Sequence, residues 1–244
     1  MAQPAQMGYA YGAPAQQVMA GDLFRGASRV FVKQEDIPVP CCSNEAKQRY
    51  RISVPNGDQE GQPFLYITEE SDYCTRSCCP VNRGLKLKVH NGPSKDYPVV
   101  QTIDKPCSCG PVFTAPCPCC RPQFAAVVRD PLYVVGSIED PCHCCIKGQR
   151  VRDARGAEMF SVSGCINQWG LFCPCCAPVR FDASKGGTTV GGVERKQLPC
   201  NDMRDNRFMI DFGSINDPQE RRMMFASAML LDLEFFESMH QATM

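Results

Sequence analysis

The sequence predicts a mainly β fold of antiparallel strands, in a sandwich or a barrel, with one helix at the C-terminal end. Three observations carry this. Short segments such as Leu85-Lys86-Leu87-Lys88-Val89-His90 alternate apolar with polar residues, the period of a half-buried strand. Turn chemistry separates them at short intervals, from Pro55-Asn56-Gly57-Asp58 to Lys185-Gly186-Gly187. No helical periodicity longer than two turns precedes Pro218, and no Gly or Pro interrupts residues 219–238.

Taken in order, residues 1–20 carry no charged side chain and are rich in Ala, Gln and Pro, the composition of a disordered tail. Residues 21–240 form the folded domain. Tyr50–Val54 and Leu85–His90 give the clearest alternation, and Val179–Asp182 and Phe208–Phe212 repeat it more weakly. Arg25–Lys33, Phe64–Glu69, Tyr97–Asp104, Phe124–Arg129, Leu132–Glu139, Ile146–Asp153, Glu158–Ser163 and Thr188–Lys196 complete a set of twelve strands. Asn91-Gly92-Pro93, Arg129-Asp130-Pro131 and Ala154-Arg155-Gly156 supply further turns.

The last element is a helix over 218–238. Pro218 suits a first-turn position. At about 100° per residue, Glu220, Ser227, Glu234 and Ser238 share one stripe, while most of the remaining surface is Met, Leu, Phe and Ala. A helix apolar nearly all round is enclosed by protein or by membrane. Phe225, Leu230, Leu231, Leu233, Phe235 and Phe236 together offer about 2–4 kcal/mol toward insertion, and Asp232 alone costs ~2.5–3.5 kcal/mol. The run is also shorter than the ~20 residues a bilayer requires. Enclosure by protein is therefore the expectation, with a membrane span as the alternative. Twelve strands closed on themselves leave a lumen wider than side chains fill, since ~8 strands already leave only side-chain room. One helix, ~10–12 Å across, fits it.

Composition limits the function. The 26 basic and 26 acidic residues balance, which removes the electrostatic case for nucleic-acid binding but leaves a membrane surface open. His90, His143 and His240 are scattered, so no triad or hydrolytic metal site suggests itself, and a bond-making or bond-breaking enzyme is not expected. The 18 cysteines come in tight clusters, and residues 1–20 lack the pattern of a secretory signal, so a reducing compartment is expected. Clustered thiols there point to metal, acylation or redox chemistry.

Each cluster lies between strands. Cys74, Cys78 and Cys79 include the spacing of a zinc pair, whereas the C-x-C-C form of the later clusters suits one metal ion less well because neighbouring thiolates diverge. Cys117, Cys119 and Cys120 suit palmitoylation, where several adjacent acyl chains supply the two signals that stable anchoring needs. Inert buried thiols are the plainer alternative. Trp169 sits beside Gly170 in a loop, where packing is favoured over an interfacial anchor. Lys86, Lys88 and Arg195-Lys196 are candidate headgroup contacts.

The order Asp72-Tyr73-Cys74-Thr75-Arg76-Ser77-Cys78-Cys79, Cys117-Pro118-Cys119-Cys120, Ser161-Val162-Ser163-Gly164, Cys173-Pro174-Cys175-Cys176 and Leu233-Glu234-Phe235-Phe236-Glu237-Ser238 resembles that of the phospholipid scramblases. The resemblance covers about residues 22–238. It implies a twelve-stranded, tubby-like antiparallel barrel around a hydrophobic C-terminal helix. It also implies palmitate on Cys117, Cys119 and Cys120, placing the protein on the cytoplasmic face of the plasma membrane. The implied activity is calcium-activated, ATP-independent, bidirectional movement of phospholipids between leaflets. Anionic phospholipids are the candidate partners, and because a plugged barrel offers no lipid path, a homo-oligomer or bilayer deformation would be needed.

The implied calcium segment falls at 201–211, where Asp202, Asp205, Asn206 and Asp211 offer oxygens. Arg204 and Arg207 lie within it and repel a cation, so any Ca2+ affinity is expected to be weak. Two basic residues in 192–197 do not predict nuclear import. A lipid-anchored adaptor without scrambling and a cysteine-rich zinc protein are the competing functions.

Overall fold

A computed structural model describes residues 22–35, 47–57, 59–73, 76, 83–107, 125–141, 146–198 and 206–233. Twelve strands run β1 (Arg29–Gln34), β2 (Arg49–Ser53), β3 (Pro63–Ser71), β4 (Leu85–His90), β5 (Val99–Lys105), β6 (Ala125–Arg129), β7 (Val134–Glu139), β8 (Ile146–Asp153), β9 (Glu158–Cys165), β10 (Val179–Lys185), β11 (Thr188–Arg195) and β12 (Arg207–Asp211). Every strand pairs antiparallel with its sequence neighbours, and β1 pairs with β12 from Arg29↔Asp211 to Lys33↔Arg207, so the sheet closes. A one-turn helix α1 (Trp169–Phe172) interrupts the β9–β10 connection, and α2 (Pro218–Leu231) follows β12.

The predicted strands are all present, with shifted edges. β1 begins four residues late. The Asp22 carboxylate accepts the N–H groups of Phe24 and Gly26 at 3.0 and 2.6 Å, and Arg25 and Gly26 take positive φ, so this stretch turns instead of extending. Gly186 and Gly187, at φ of 58° and 80°, make the two-residue β10–β11 hairpin, whose turn needs positive φ at both positions.

Alternation points Leu65, Ile67, Leu87, Val89, Phe181 and Val193 into the lumen, where all are buried. The lumen contains α2. Its first turn is capped by Asp217, whose Oδ1 accepts the N–H groups of Gln219 and Glu220 at 2.9 Å, with Pro218 beside it. Every residue from Arg221 to Leu231 is buried, so the protein-enclosed alternative is the one realised. Phe225, Met229, Leu230 and Leu231 are fully buried, each contributing about 1.5–3 kcal/mol of apolar burial. Among the described residues, no helix is long and apolar enough to cross a membrane.

Polar groups fix the register of α2 in the lumen. At its start, Arg222 Nη1 donates to Asp130 Oδ2 at 2.7 Å, and Arg221 Nε donates to the Ile215 carbonyl at 2.8 Å. Midway, Ser227 Oγ donates to Gln149 Oε1 at 2.6 Å, which settles the direction of the polar stripe. Gly136 on β7 admits the helix. A Cβ there would lie 2.2 Å from the Arg152 carbonyl oxygen and 2.9 Å from Met223 Cε. Gly136→Ala is expected to destabilise the barrel by about 1–3 kcal/mol through overpacking, read as a lower urea midpoint at unchanged m-value.

Candidate functional site

Strand parity sorts the connections between two rims. Successive antiparallel strands alternate direction, so the connections β1–β2, β3–β4, β5–β6, β7–β8, β9–β10 and β11–β12 all leave from and return to one rim. Cys165 ends β9 at that rim, and the other 17 of the 18 cysteines lie in these six connections. The opposite rim, where α2 enters, has none. The palmitoylation set Cys117, Cys119 and Cys120 belongs to β5–β6, and the zinc set Cys74, Cys78 and Cys79 to β3–β4. Both sets lie outside the described residues, as do Phe235 and Phe236 of the predicted helix and the tail over residues 1–20.

The β9–β10 connection is described throughout. Gln168 clamps it: its Nε2 donates to the Cys165 and Arg180 carbonyls at 3.1 and 2.7 Å, and its Oε1 accepts the Arg180 N–H at 2.8 Å. Gly170 and Leu171 turn inward. A Cβ on Gly170 would lie 2.3 Å from the Ala177 carbonyl oxygen, so only glycine fits. Trp169 and Phe172, three residues apart on one helical turn, share the outer face and are 68% and 67% exposed. The expectation that Trp169 packs in its loop is therefore corrected: the inward positions belong to Gly170 and Leu171.

Cys173 and Cys176 of this connection are joined by a disulfide (S–S 2.10 Å), and Cys175 Sγ lies 3.6 Å from Cys173 Sγ and 4.0 Å from Cys176 Sγ. The expected divergence of C-x-C-C sulfurs does not hold here, because the chain reverses between Cys173 and Cys176 through a Cys176 N–H bond to the Cys173 carbonyl at 2.9 Å. This convergence was missed, although Pro174 inside the motif was a signal for a turn.

Under the same rim, α2 ends in a buried polar cluster. Asp232 is 1% exposed. Tyr50 Oη donates to its Oδ2 at 2.8 Å and Asn206 Nδ2 to its Oδ1 at 2.6 Å. Burial pushes the Asp232 carboxyl above its ordinary value, although Asn206, Tyr50 and the Arg195 charge pull it down. Burial likewise lowers Arg195, against the pull of Asp232. Leu233 packs beside this cluster, nearly fully buried. Arg195 is 2% exposed, which corrects its reading as a headgroup contact: two residues beyond Val193, it keeps the lumen-facing parity of β11.

The calcium set is divided by geometry. Asn206 is buried and occupied with Asp232 and with Gln34, whose Oε1 takes its Nδ2 at 2.9 Å. Asp211 lies at the far end of β12, accepting from Arg29 Nε at 3.1 Å and from the Gly213 N–H at 2.9 Å. Five residues of strand separate them by about 16 Å, so one ion cannot take both. Asp202 and Asp205 lie outside the described residues.

A second buried ionic group sits where β3 and β4 reach the cysteine rim. Arg83 Nε and Nη2 bond the two oxygens of Glu69 at 3.0 and 3.2 Å. Ser71 Oγ and the Gln48 N–H add bonds at 2.6 and 2.9 Å. Burial pushes the Glu69 carboxyl up, but the Arg83 bonds and charge outweigh it, with Ser71 and Gln48, and hold it below its ordinary value. No periodic signal marked this pair, since Arg83 precedes its strand. On the outer wall, Lys86 pairs with Asp104 at 3.4 Å, Lys88 with Glu70 at 2.8 Å and Lys196 with Glu194 at 2.9 Å. These lysines are thus neutralised locally. Lys86 lines a cleft of about 530 Å3 whose Arg129 also bonds Asp104, at 3.2 Å.

A closed twelve-stranded barrel threaded by its own C-terminal helix is a tubby-like barrel. A family model described as Scramblase matches residues 23–238, and the chain belongs to the scramblase family. Phospholipid scramblase 2 of Bos taurus is 27% identical over 203 residues, covering 79% of this chain and 62% of that protein. Phospholipid scramblase 1 of Homo sapiens is 24% identical over 204 residues, covering 80% and 58%. Phospholipid scramblase 4 of Mus musculus is 23% identical over 195 residues, covering 79% and 56%. The chain spans about three fifths of the length of these relatives. No solved structure matches it.

Proposed function

We propose that the chain is a phospholipid scramblase-like protein held on the cytoplasmic face of the plasma membrane by palmitate on Cys117, Cys119 and Cys120. It moves phospholipids between leaflets without ATP and without bond chemistry, responds to Ca2+, and contacts anionic phospholipids, as a homo-oligomer. The observation that carries this is the gathering of cysteine-bearing connections at one rim, where Trp169 and Phe172 are exposed. Acyl chains at that rim point the barrel end-on toward the bilayer, and the two aromatic rings suit the headgroup level. The similarity to phospholipid scramblases 1 and 2 supports the phospholipid activity. The Ca2+ response is assigned to Asp202 and Asp205, which precede in sequence the Asn206 that bonds Asp232 after the end of α2.

One observation favours a second reading, a lipid-anchored adaptor that does not scramble. The lumen is occupied by α2 and the outer wall carries ion pairs, which leaves one barrel without a lipid path of its own. The acylated chain in liposomes with fluorescent lipid in both leaflets separates the two. Dithionite bleaching beyond the outer-leaflet fraction in millimolar Ca2+ is expected, reduced at least about tenfold in rate by Asp202→Asn with Asp205→Asn. Bleaching confined to the outer leaflet, with vesicles intact and protein bound, rejects scrambling in favour of the adaptor.

A further inference from the structure

We infer that Cys173, Cys175 and Cys176, once reduced, form a three-thiolate site for a thiophilic d10 cation, Zn2+ or Cu+. This goes beyond lipid movement and assigns a site to cysteines outside the acylation set. Three sulfurs lie within 4.8 Å of one another. Ligands about 2.3 Å from a tetrahedral ion stand about 3.8 Å apart, and the Cys173–Cys175 and Cys175–Cys176 separations of 3.6 and 4.0 Å bracket that spacing. Only the Cys173–Cys176 edge must lengthen, and it does so when the disulfide is reduced.

The backbone is held in place around the sulfurs. The Cys173 N–H bonds the Trp169 carbonyl and the Cys176 N–H bonds the Cys173 carbonyl, both at 2.9 Å. From the far side, the Leu198 N–H bonds the Pro174 carbonyl at 2.9 Å and Gln197 Nε2 the Cys175 carbonyl at 2.5 Å. Four bonds from three segments thus fix the loop before any ion arrives, and Pro174 stiffens it further. Cys173 and Cys175 are half-buried and Cys176 is exposed, so reductant and ion have access.

The chemistry balances. A dithiol reductant gives two electrons and two protons to the Cys173–Cys176 bond and becomes a disulfide itself. Three thiols then release three protons as their sulfurs take the cation. Soft thiolate ligands select Zn2+ and Cu+ over the hard cations. The fourth position on Zn2+ falls to water, while Cu+ needs no fourth ligand.

The test uses the full chain, reduced and desalted without oxygen. Zn2+ or Cu+ is added at one equivalent, and thiols are alkylated and mapped by peptide mass spectrometry. Alkylation of Cys173, Cys175 and Cys176 is expected to slow together by at least about tenfold with one cation or both. Cys107 and Cys165, both exposed, are the internal controls and should react unchanged. Competition with a chelator of known affinity ranks the two ions. Cys175→Ser spares the core and should leave the thermal midpoint unchanged. Its affinity should fall by at least about 100-fold, since losing a ligand exceeds the 10–100-fold cost of losing an outer-shell partner. Three results overturn the inference: full alkylation of the trio in both metals, unchanged affinity in Cys175→Ser, or an acyl thioester on any of the three in chain recovered from membranes.

Discussion

Asp232→Ala is expected to destabilise the barrel by about 3–5 kcal/mol, the range for removing one partner from a buried charged pair. Three groups lose their shared acceptor or counter-charge together: the Tyr50 hydroxyl, the Asn206 amide and the Arg195 guanidinium. None can turn to water, because Tyr50 is 1%, Arg195 2% and Asn206 4% exposed. Asp232→Asn keeps the shape and an acceptor but also removes the counter-charge of Arg195, so its loss should fall below that of Asp232→Ala by about 1–2 kcal/mol, near the worth of one hydrogen bond. The pH dependence separates packing from charge. Burial raises the folded carboxyl above its ordinary 3.8. Its stabilising contribution is therefore full below 3.8 and declines as pH rises toward the folded value. Wild type should gain on Asp232→Asn as pH falls through that window. Urea unfolding of both chains across the acid range measures the gap, and a pH-independent gap would reject a titrating Asp232.

This cluster marks where sequence reading stopped. The strands were legible because alternation is a backbone property, and β4 shows it in its cleanest form: Leu85, Leu87 and Val89 face in while Lys86 and Lys88 face out. Enclosure of α2 was legible because Asp232 and the short run opposed a span. The same periodicity also held unused information. Arg195 shares the parity of Val193, yet its charge and its neighbour Lys196 suggested a surface patch. Asp211 falls inside the predicted strand Phe208–Phe212, which already set it apart from Asn206 at the other end. Parity places the cysteine connections too: six alternate connections of an up-and-down barrel must share a rim. Pairs such as Glu69–Arg83 were not legible, since they depend on a loop residue reaching a strand 14 positions earlier.

That pair carries the other large effect. Arg83→Ala is expected to cost about 3–5 kcal/mol, because among the described residues it leaves the buried Glu69 carboxylate with Ser71 and the Gln48 N–H as donors. The sign of the acid response should invert with it. In wild type the folded carboxyl lies below its ordinary 4.5, so its contribution is full above 4.5 and lost as pH falls through the folded value. Without Arg83, burial dominates and lifts the carboxyl, so the variant should recover part of its deficit on acidification. Glu69→Leu added to Arg83→Met should restore most of the loss, since apolar side chains of similar size replace buried ion pairs with little penalty. Such recovery makes the double-mutant coupling large. Losses that simply add would instead mean that each residue acts alone, and the bidentate bond between them would not be what holds this corner of the rim.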